Sequence, residues 1–202
     1  VLCLHIDKSG RLWVGTEGGG IYLYNRQNDR FEEKNQEYNI PGDMVGSIEE
    51  DKNGNLWMTS SEVNHAVLVL DKAGAWHRLD IEQLRGVYTI NDILITSTND
   101  KWIYVPRNTP KLVMIPNSES LDEVSSYEFT TLIDTDGKEL TPSNYTCVAE
   151  DKDGYIWVGT NRGAVYFTKP RISSAEDKAA TRCTRVKSVS YTHLTLPTNR
   201  EV

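Results

Sequence analysis

Three stretches of this chain open in the manner of a calcium-binding loop, with oxygen-bearing side chains at alternate positions: Asp51-Lys52-Asn53-Gly54-Asn55, Asp134-Thr135-Asp136-Gly137 and Asp151-Lys152-Asp153-Gly154. An EF-hand loop requires glycine at its sixth position and an acidic residue at its twelfth. Here glycine stands fourth, and the twelfth residue from Asp151 is Arg162. The spacing therefore specifies hairpin turns, with Asp7, Asp51 and Asp151 bonding the backbone of their own turn, and neither metal nor cofactor is expected. His5, His65, His77 and His193 share no ligand or triad spacing, and no Gly-x-Ser-x-Gly or His-Glu-x-x-His sequence occurs. Gly18-Gly19-Gly20 joins two strands rather than a strand to a helix, so it reads as a permissive loop and not a phosphate cradle. Cys3, Cys147 and Cys183 lack Cys-x-x-Cys spacing and are too few for a disulfide framework. No catalytic residue is assigned and enzymatic activity is not expected.

The elements that hold these turns repeat. Asp7-Lys-Ser-Gly-Arg-Leu-Trp13-Val-Gly-Thr16 returns as Asp151-Lys-Asp-Gly-Tyr-Ile-Trp157-Val-Gly-Thr160; Asp51 to Met58 keeps all but the Gly-Thr, and Asn99-Asp100-Lys101-Trp102-Ile103 keeps the turn chemistry and the ring. The tryptophans lie 44, 45 and 55 residues apart, a period at which self-similarity marks a stacked array of units that cannot bury their apolar faces alone.

Nine residues before each of these tryptophans stands an apolar residue, Leu4, Ile48, Ile93 or Val148, in a short stretch that reads as a first strand. Leu-Trp-Val, Leu-Trp-Met and Ile-Trp-Val are apolar at consecutive positions, which requires a second strand covered on both faces. Third strands follow at Ile21 to Tyr24, Ala66 to Leu70, Leu112 to Ile115 and Ala164 to Phe167, with fourth-strand candidates at Arg30 to Glu33, Ala75 to Leu79 and Tyr127 to Ile133. Cys3 and Cys147 each stand ten residues before a tryptophan, where Ser47 and Asp92 occur in the other units, so a small buried side chain on the inner strand is expected there. Four short strands per unit with a tryptophan in a fixed place specify an all-β, partial β-propeller of about four blades of four antiparallel strands, a fragment of a larger ring. Residues 1–170 form the blades, 171–187 read as a linker, and 188–202 read as a non-native tail resembling translated sequencing adapter.

In such a ring the connections from second to third strand, and from blade to blade, gather on one face, where a rigid scaffold presents recognition residues. Arg107, Arg162, His65 and Tyr145 fall in these connections and are the candidate ligand-binding residues. Arginine and tyrosine there suit an anionic or sugar-bearing partner through charge-assisted hydrogen bonds and ring stacking.

The phrase Asp-Lys-x-Gly-x-Leu/Ile-Trp-Val-Gly-Thr, followed by Gly and Ile/Val-Tyr, resembles the two-component-regulator propeller repeat of bacterial periplasmic sensors and Bacteroidetes surface proteins. Lys101 to Arg107, Asp136 to Pro142 and Cys183 to Lys187 are similar to stretches of PorZ-type components of the type IX secretion system. That resemblance implies a periplasmic or outer-membrane-associated surface protein whose partners are lipopolysaccharide, a glycan or other secretion-system proteins. The wider family implies instead a ligand-sensing periplasmic ectodomain of a hybrid two-component histidine kinase. A net charge of −7 argues against nucleic acid, whose phosphates favour clustered Lys and Arg. No apolar run reaches the roughly 18–20 residues of a membrane span.

Overall fold

The computed structural model describes residues 1–34, 44–62, 64–87, 90, 92–106 and 109–186; the tail 188–202 lies outside them. The first blade contains β1 (Cys3–Ile6), β2 (Leu12–Gly15), β3 (Ile21–Asn25) and β4 (Arg30–Glu33), and the second β5 (Val45–Glu50), β6 (Leu56–Ser60), β7 (Val67–Leu70) and β8 (Trp76–Leu79). The third comprises β9 (Ile93–Ile95), β10 (Lys101–Val105), β11 (Lys111–Ile115) and β12 (Tyr127–Phe129). A small hairpin, β13 (Leu132–Ile133) with β14 (Glu139–Leu140), precedes the fourth blade of β15 (Tyr145–Glu150), β16 (Tyr155–Thr160), β17 (Gly163–Thr168) and β18 (Thr184–Arg185). Each blade is a four-stranded sheet whose strands pair antiparallel in chain order. The molecule is therefore a nearly all-β partial propeller.

Two expected boundaries move. Leu132 and Ile133 leave the third blade's last strand and pair with Leu140 and Glu139. The stretch expected as a linker carries a six-residue helix, α1 (Ala175–Ala180), capped by the Ser174 hydroxyl, and then β18, which pairs Arg185 with Val165 and Thr184 with Tyr166. The fourth blade takes its last strand from this basic segment.

Inner strands stand side by side, β1 next to β5, β5 next to β9, and β9 next to β15, and apolar cores fill the gaps between blades. Trp13 packs with Val45, Ile48, Leu56 and Met58 of the second blade. Trp57 joins Ile90, Ile93, Ile103 and Val105 of the third, and Trp102 joins Tyr145, Val148, Ile156 and Val158 of the fourth. Trp13, Trp57 and Trp102 thus each face the following blade, while the residues flanking Trp57 and Trp102 on their strands face the preceding one. This explains why β6 and β10 are buried at every position, as strands covered on both sides must be. On β16 burial alternates: Ile156, Val158 and Thr160 are covered by the third blade, and Tyr155, Trp157 and Gly159 are half-open. Leu4, at the position of Ile48, Ile93 and Val148, is 65% exposed because it faces away from the second blade.

Cysteine burial follows the same geometry and corrects one expectation. Cys3 faces the second blade, its thiol directed at the Val45 carbonyl, whereas Cys147, expected to be buried, is exposed on the open side of the fourth blade. The Gly of the Gly-Thr pair is also explained at Gly15, where an added Cβ would lie 2.5 Å from the Val45 carbonyl oxygen and 2.5 Å from the Cys3 sulfur.

Candidate functional site

Asp7, Asp51 and Asp151 each tie their turn to the tryptophan of the same blade. Asp51 Oδ1 accepts the backbone N–H groups of Asn53 (2.9 Å) and Asn55 (2.8 Å), and Oδ2 accepts the Trp57 indole N–H at 3.0 Å. Asp151 repeats the arrangement with Asp153, Tyr155 and, at 2.7 Å, Trp157. Asp7 holds Arg11 and Trp13 in the same way. Burial pushes the Asp51 and Asp7 carboxyls up, but these bonds outweigh it and leave both below the ordinary aspartate value. At Asp151 the Trp157 bond itself is the main cause of the lowering. In the third blade Thr96 takes the aspartate's place, its hydroxyl accepting the Asp100 N–H, and Asn99 occupies the left-handed region at φ 69° where Gly10, Gly54 and Gly154 stand in the other turns. The calcium-like stretches are thus consumed as turns, and no group of acidic, His or Cys side chains suited to a metal occurs among the described residues.

The turns are also linked to one another around the ring. The backbone N–H following the turn aspartate, or its threonine substitute, donates to a side chain of the next blade: Lys8 to Glu50 (2.6 Å), Lys52 to Asn99 (2.8 Å), Ser97 to Glu150 (2.6 Å). The ammonium groups add to this, Lys8 to the Asp51 carbonyl at 2.6 Å and Lys52 to the Ser97 carbonyl. These bonds place all of the first turns on one face of the ring.

The second-to-third connections therefore lie on the opposite face, and there Thr of the Gly-Thr pair does the holding. The Thr16 hydroxyl donates to Gly20 O and accepts from Gly19 N, pinning the glycine run as a loop. Thr160 does the same for its turn, donating to Gly163 O at 2.7 Å and accepting the Arg162 N–H at 3.0 Å. Arg162 is exposed, and its guanidinium has no acid partner among the described residues. His65, two blades away, is partly buried and bonded through Nδ1 to Glu62 at 3.0 Å. Arg107 lies outside the described residues. Tyr145 is corrected: it is fully buried at the start of β15, and its hydroxyl donates to the Phe129 carbonyl at 3.0 Å, so it cannot face a ligand. Burial drives its phenol pKa upward. The repeat itself signals this, since twelve residues before a tryptophan stand Val45 and Ile90, both core residues, and Tyr145 fills that same slot. The structure does not bring Arg162 and His65 into contact.

Clefts that sequence reasoning missed open between blades on the turn face. One of about 710 Å³ is bounded by Asn53, Asp71, His77 and the β11–β12 connection at Glu119 and Asp122. Another of about 320 Å³, between the third and fourth blades, is lined by Ser97, Trp102, Lys152, Lys169 and Arg171. The larger exists because the β11–β12 connection is long and is anchored by Leu121 and Val124 against the core between the second and third blades.

Comparisons with known proteins accord with this anatomy. Residues 1–18, 39–62 and 139–162 match the family model described as two component regulator propeller. The chain is similar in fold to PorZ, an essential bacterial surface component of the type IX secretion system of Porphyromonas gingivalis, at 17% identity and a TM-score of 0.73 over 91% of this chain and 26% of that one. It is similar to the extracellular domain of the putative hybrid two component system BT4673 from B. thetaiotaomicron, at 20% identity and a TM-score of 0.61, covering 93% of this chain and 24% of that one. Virginiamycin B lyase from Staphylococcus aureus is matched at 20% identity and a TM-score of 0.61, covering 92% of this chain and 54% of the lyase. The chain therefore spans about a quarter of the first two structures and about half of the third. No curated protein matches its sequence. No helix among the described residues is long and apolar enough to cross a membrane.

Proposed function

We propose that this chain, a propeller built on two component regulator repeats, is a non-enzymatic binding module of the bacterial periplasm or cell surface. It engages an anionic partner, lipopolysaccharide or an acidic glycan, through the face that carries Arg162. The observation that carries this reading is the exposed Arg162 guanidinium, which has no acid partner among the described residues. Lys8 and Lys52 are tied to the next blade's turn, whereas Arg162 stands exposed in a turn that Thr160 holds in place. An unpaired guanidinium on a rigid loop is prepared for bidentate bonding to a carboxylate or phosphate. The likeness to PorZ supports a role in secretion at the cell surface, with other secretion proteins as further partners. The likeness to the BT4673 extracellular domain supports the second reading, a ligand-sensing ectodomain of a hybrid two-component kinase.

Binding of purified lipopolysaccharide and of acidic oligosaccharides, measured by surface interferometry, tests the assignment. Arg162→Ala is expected to weaken binding about tenfold, the loss of one charge-assisted contact, and Arg107→Ala to weaken it as well. Lys8→Ala on the turn face should leave affinity unchanged. Equal losses at Arg162 and Lys8 would show that only net charge matters, and the reading would fail.

A further inference from the structure

The cleft between the third and fourth blades differs from its neighbours in how its charges are used. Both walls belong to this chain: Ser97 and Asp100 come from the third blade, and Glu150, Lys169 and Arg171 from the fourth. Its carboxylates are already held. Asp100 accepts the Asn117 backbone N–H at 2.8 Å and the Thr98 hydroxyl at 2.6 Å, and Glu150 accepts the Ser97 N–H at 2.6 Å. The cations are not, since the Lys169 and Arg171 side chains have no hydrogen-bond or acid partner among the described residues. In the corresponding cleft between the first and second blades, of about 240 Å³, the Arg11 guanidinium is committed to Asp7 at 2.6 Å. The cleft between the second and third blades sets Lys72 among Asp71, Glu119 and Asp122.

The backbone at Lys169 adds a second observation. Lys169 stands three residues past the strand partner of Trp157, the place of Arg26, Lys72 and Asn117 in the other blades. Of these four residues it alone enters the left-handed region, at φ 45°. Glycine would take that angle without the steric cost a lysine Cβ incurs, and the following Pro170 biases the residue toward extended backbone instead. Burial of Ile172 in the core of the third and fourth blades holds the conformation. It lays the lysine along the turn, with Cε 3.6 Å from where a Cβ on Gly154 would stand, at the cleft. Strained residues of this kind gather at ligand sites. The segment that supplies both cations is also the basic part of an acidic chain: residues 169–186 hold five Lys and Arg against two Asp and Glu, in a protein of net charge −7.

We infer that this cleft binds a small polyhydroxylated anion, a sugar acid or sugar phosphate, whose oxyanion is held by Lys169 and Arg171 and whose hydroxyls donate to Asp100 and Glu150. A guanidinium and an ammonium on one wall suit carboxylate or phosphate oxygens. A carboxylate that has accepted two bonds keeps lone pairs for further donors. At about 320 Å³ the space lies at the small end of ligand sites, with room for a single such molecule. The inference is independent of the reading at Arg162, which concerns the opposite face and a polymeric or lipid-borne partner.

Isothermal titration calorimetry of the whole chain with gluconate, glucose-6-phosphate, glucose and inorganic phosphate tests this. Gluconate or glucose-6-phosphate is expected to bind about tenfold more tightly than either glucose or inorganic phosphate, because only the sugar anions carry both the charge and the hydroxyls. Arg171→Gln and Lys169→Gly are each expected to weaken that binding about tenfold, while Arg162→Ala leaves it unchanged. Lys169→Gly also relieves the positive φ, so its melting temperature should equal or exceed that of wild type. A clear fall in melting temperature would show that Lys169 is kept for packing and would overturn its assignment. The inference is overturned as well if neither sugar anion binds, if inorganic phosphate binds as tightly as they do, or if Arg162→Ala abolishes binding that Arg171→Gln leaves intact.

Discussion

Among the described residues Lys101 is the one lysine enclosed by the fold, 1% exposed, with its ammonium 4.5 Å from the Trp57 ring centroid and 3.6 Å from Asp51 Oδ2. The other blades place Leu12, Leu56 and Ile156 at this position, so the charge is an addition to a slot that functions without it. Burial lowers the Lys101 pKa although Asp51 opposes the shift. Removing one member of a buried ion pair strands the other at a cost of about 3–5 kcal/mol, whereas replacing the cation by a well-packed apolar residue is often neutral or stabilising. Asp51→Asn is therefore expected to cost about 3–5 kcal/mol in urea melts, and Lys101→Leu to leave stability within about 1 kcal/mol of wild type or to raise it. The double variant should lose less than Asp51→Asn alone. The pH dependence has two arms. Asp7, Asp51 and Asp151 have folded values below 3.8, so their contribution is complete above that pH and is lost as pH falls through the folded values. Lys101 is lowered from 10.5, so the unfolded chain binds more protons in the window below 10.5 and stability rises with pH there. Lys101→Leu should flatten that alkaline rise while leaving the acid arm intact.

At the scale of the strand, the Gly-Thr pair separates interface positions from free ones. A Cβ on Gly15 would meet the Val45 backbone of the next blade, whereas on Gly159 it would meet Thr146 Oγ1 and Cys147 Sγ, side chains on an exposed strand. Gly15→Ala is expected to destabilise by about 1–3 kcal/mol, the range for forced overpacking, and Gly159→Ala to change stability by less. Thermal melts of the two variants make the comparison. Tryptophan truncation should follow the same order: Trp13→Ala is expected to cost about 3–5 kcal/mol, and Trp157→Ala, half-open on the fourth blade, clearly less. Much of this anatomy was legible. The Asp-x-x-Gly turn, the tryptophan and the apolar residue nine before it located three blades directly, because one pattern had to satisfy the same two neighbours each time. The third blade was fainter since Thr96 and Asn99 do the work of Asp and Gly with different letters. Tyr145 was misread because Pro142-Ser143-Asn144-Tyr145-Thr146 is polar enough to look like a loop, although its repeat position is apolar elsewhere. The indole bond to each turn aspartate was not visible, since sequence spacing of six shows proximity only once the hairpin register is known.

For the molecule as a whole, the C-terminal segment is structural. Ile172 and Cys183 are buried in the core shared by the third and fourth blades, and β18 closes the fourth sheet. Truncation after Pro170 removes all three and is expected to cost several kcal/mol, since one buried aliphatic side chain alone contributes about 1.5–3 kcal/mol. A chain ending at 186 should melt at a higher temperature, and equal melting temperatures would contradict the role given to β18. This segment was illegible beforehand because its basic, alanine-containing run shows no strand alternation, and β18 is only two residues long. The three cysteines supply a different kind of readout. Cys147 is exposed, Cys3 is half-buried beneath the second blade, and Cys183 is sealed, with burial raising the pKa of the last two. Alkylation should therefore proceed in the order Cys147, Cys3, Cys183, with Cys3 reporting the parting of the first two blades and Cys183 the detachment of the closing strand. The native thiols thus form a clock whose three rates, followed by mass spectrometry, would time the opening of a propeller one blade at a time without any introduced label.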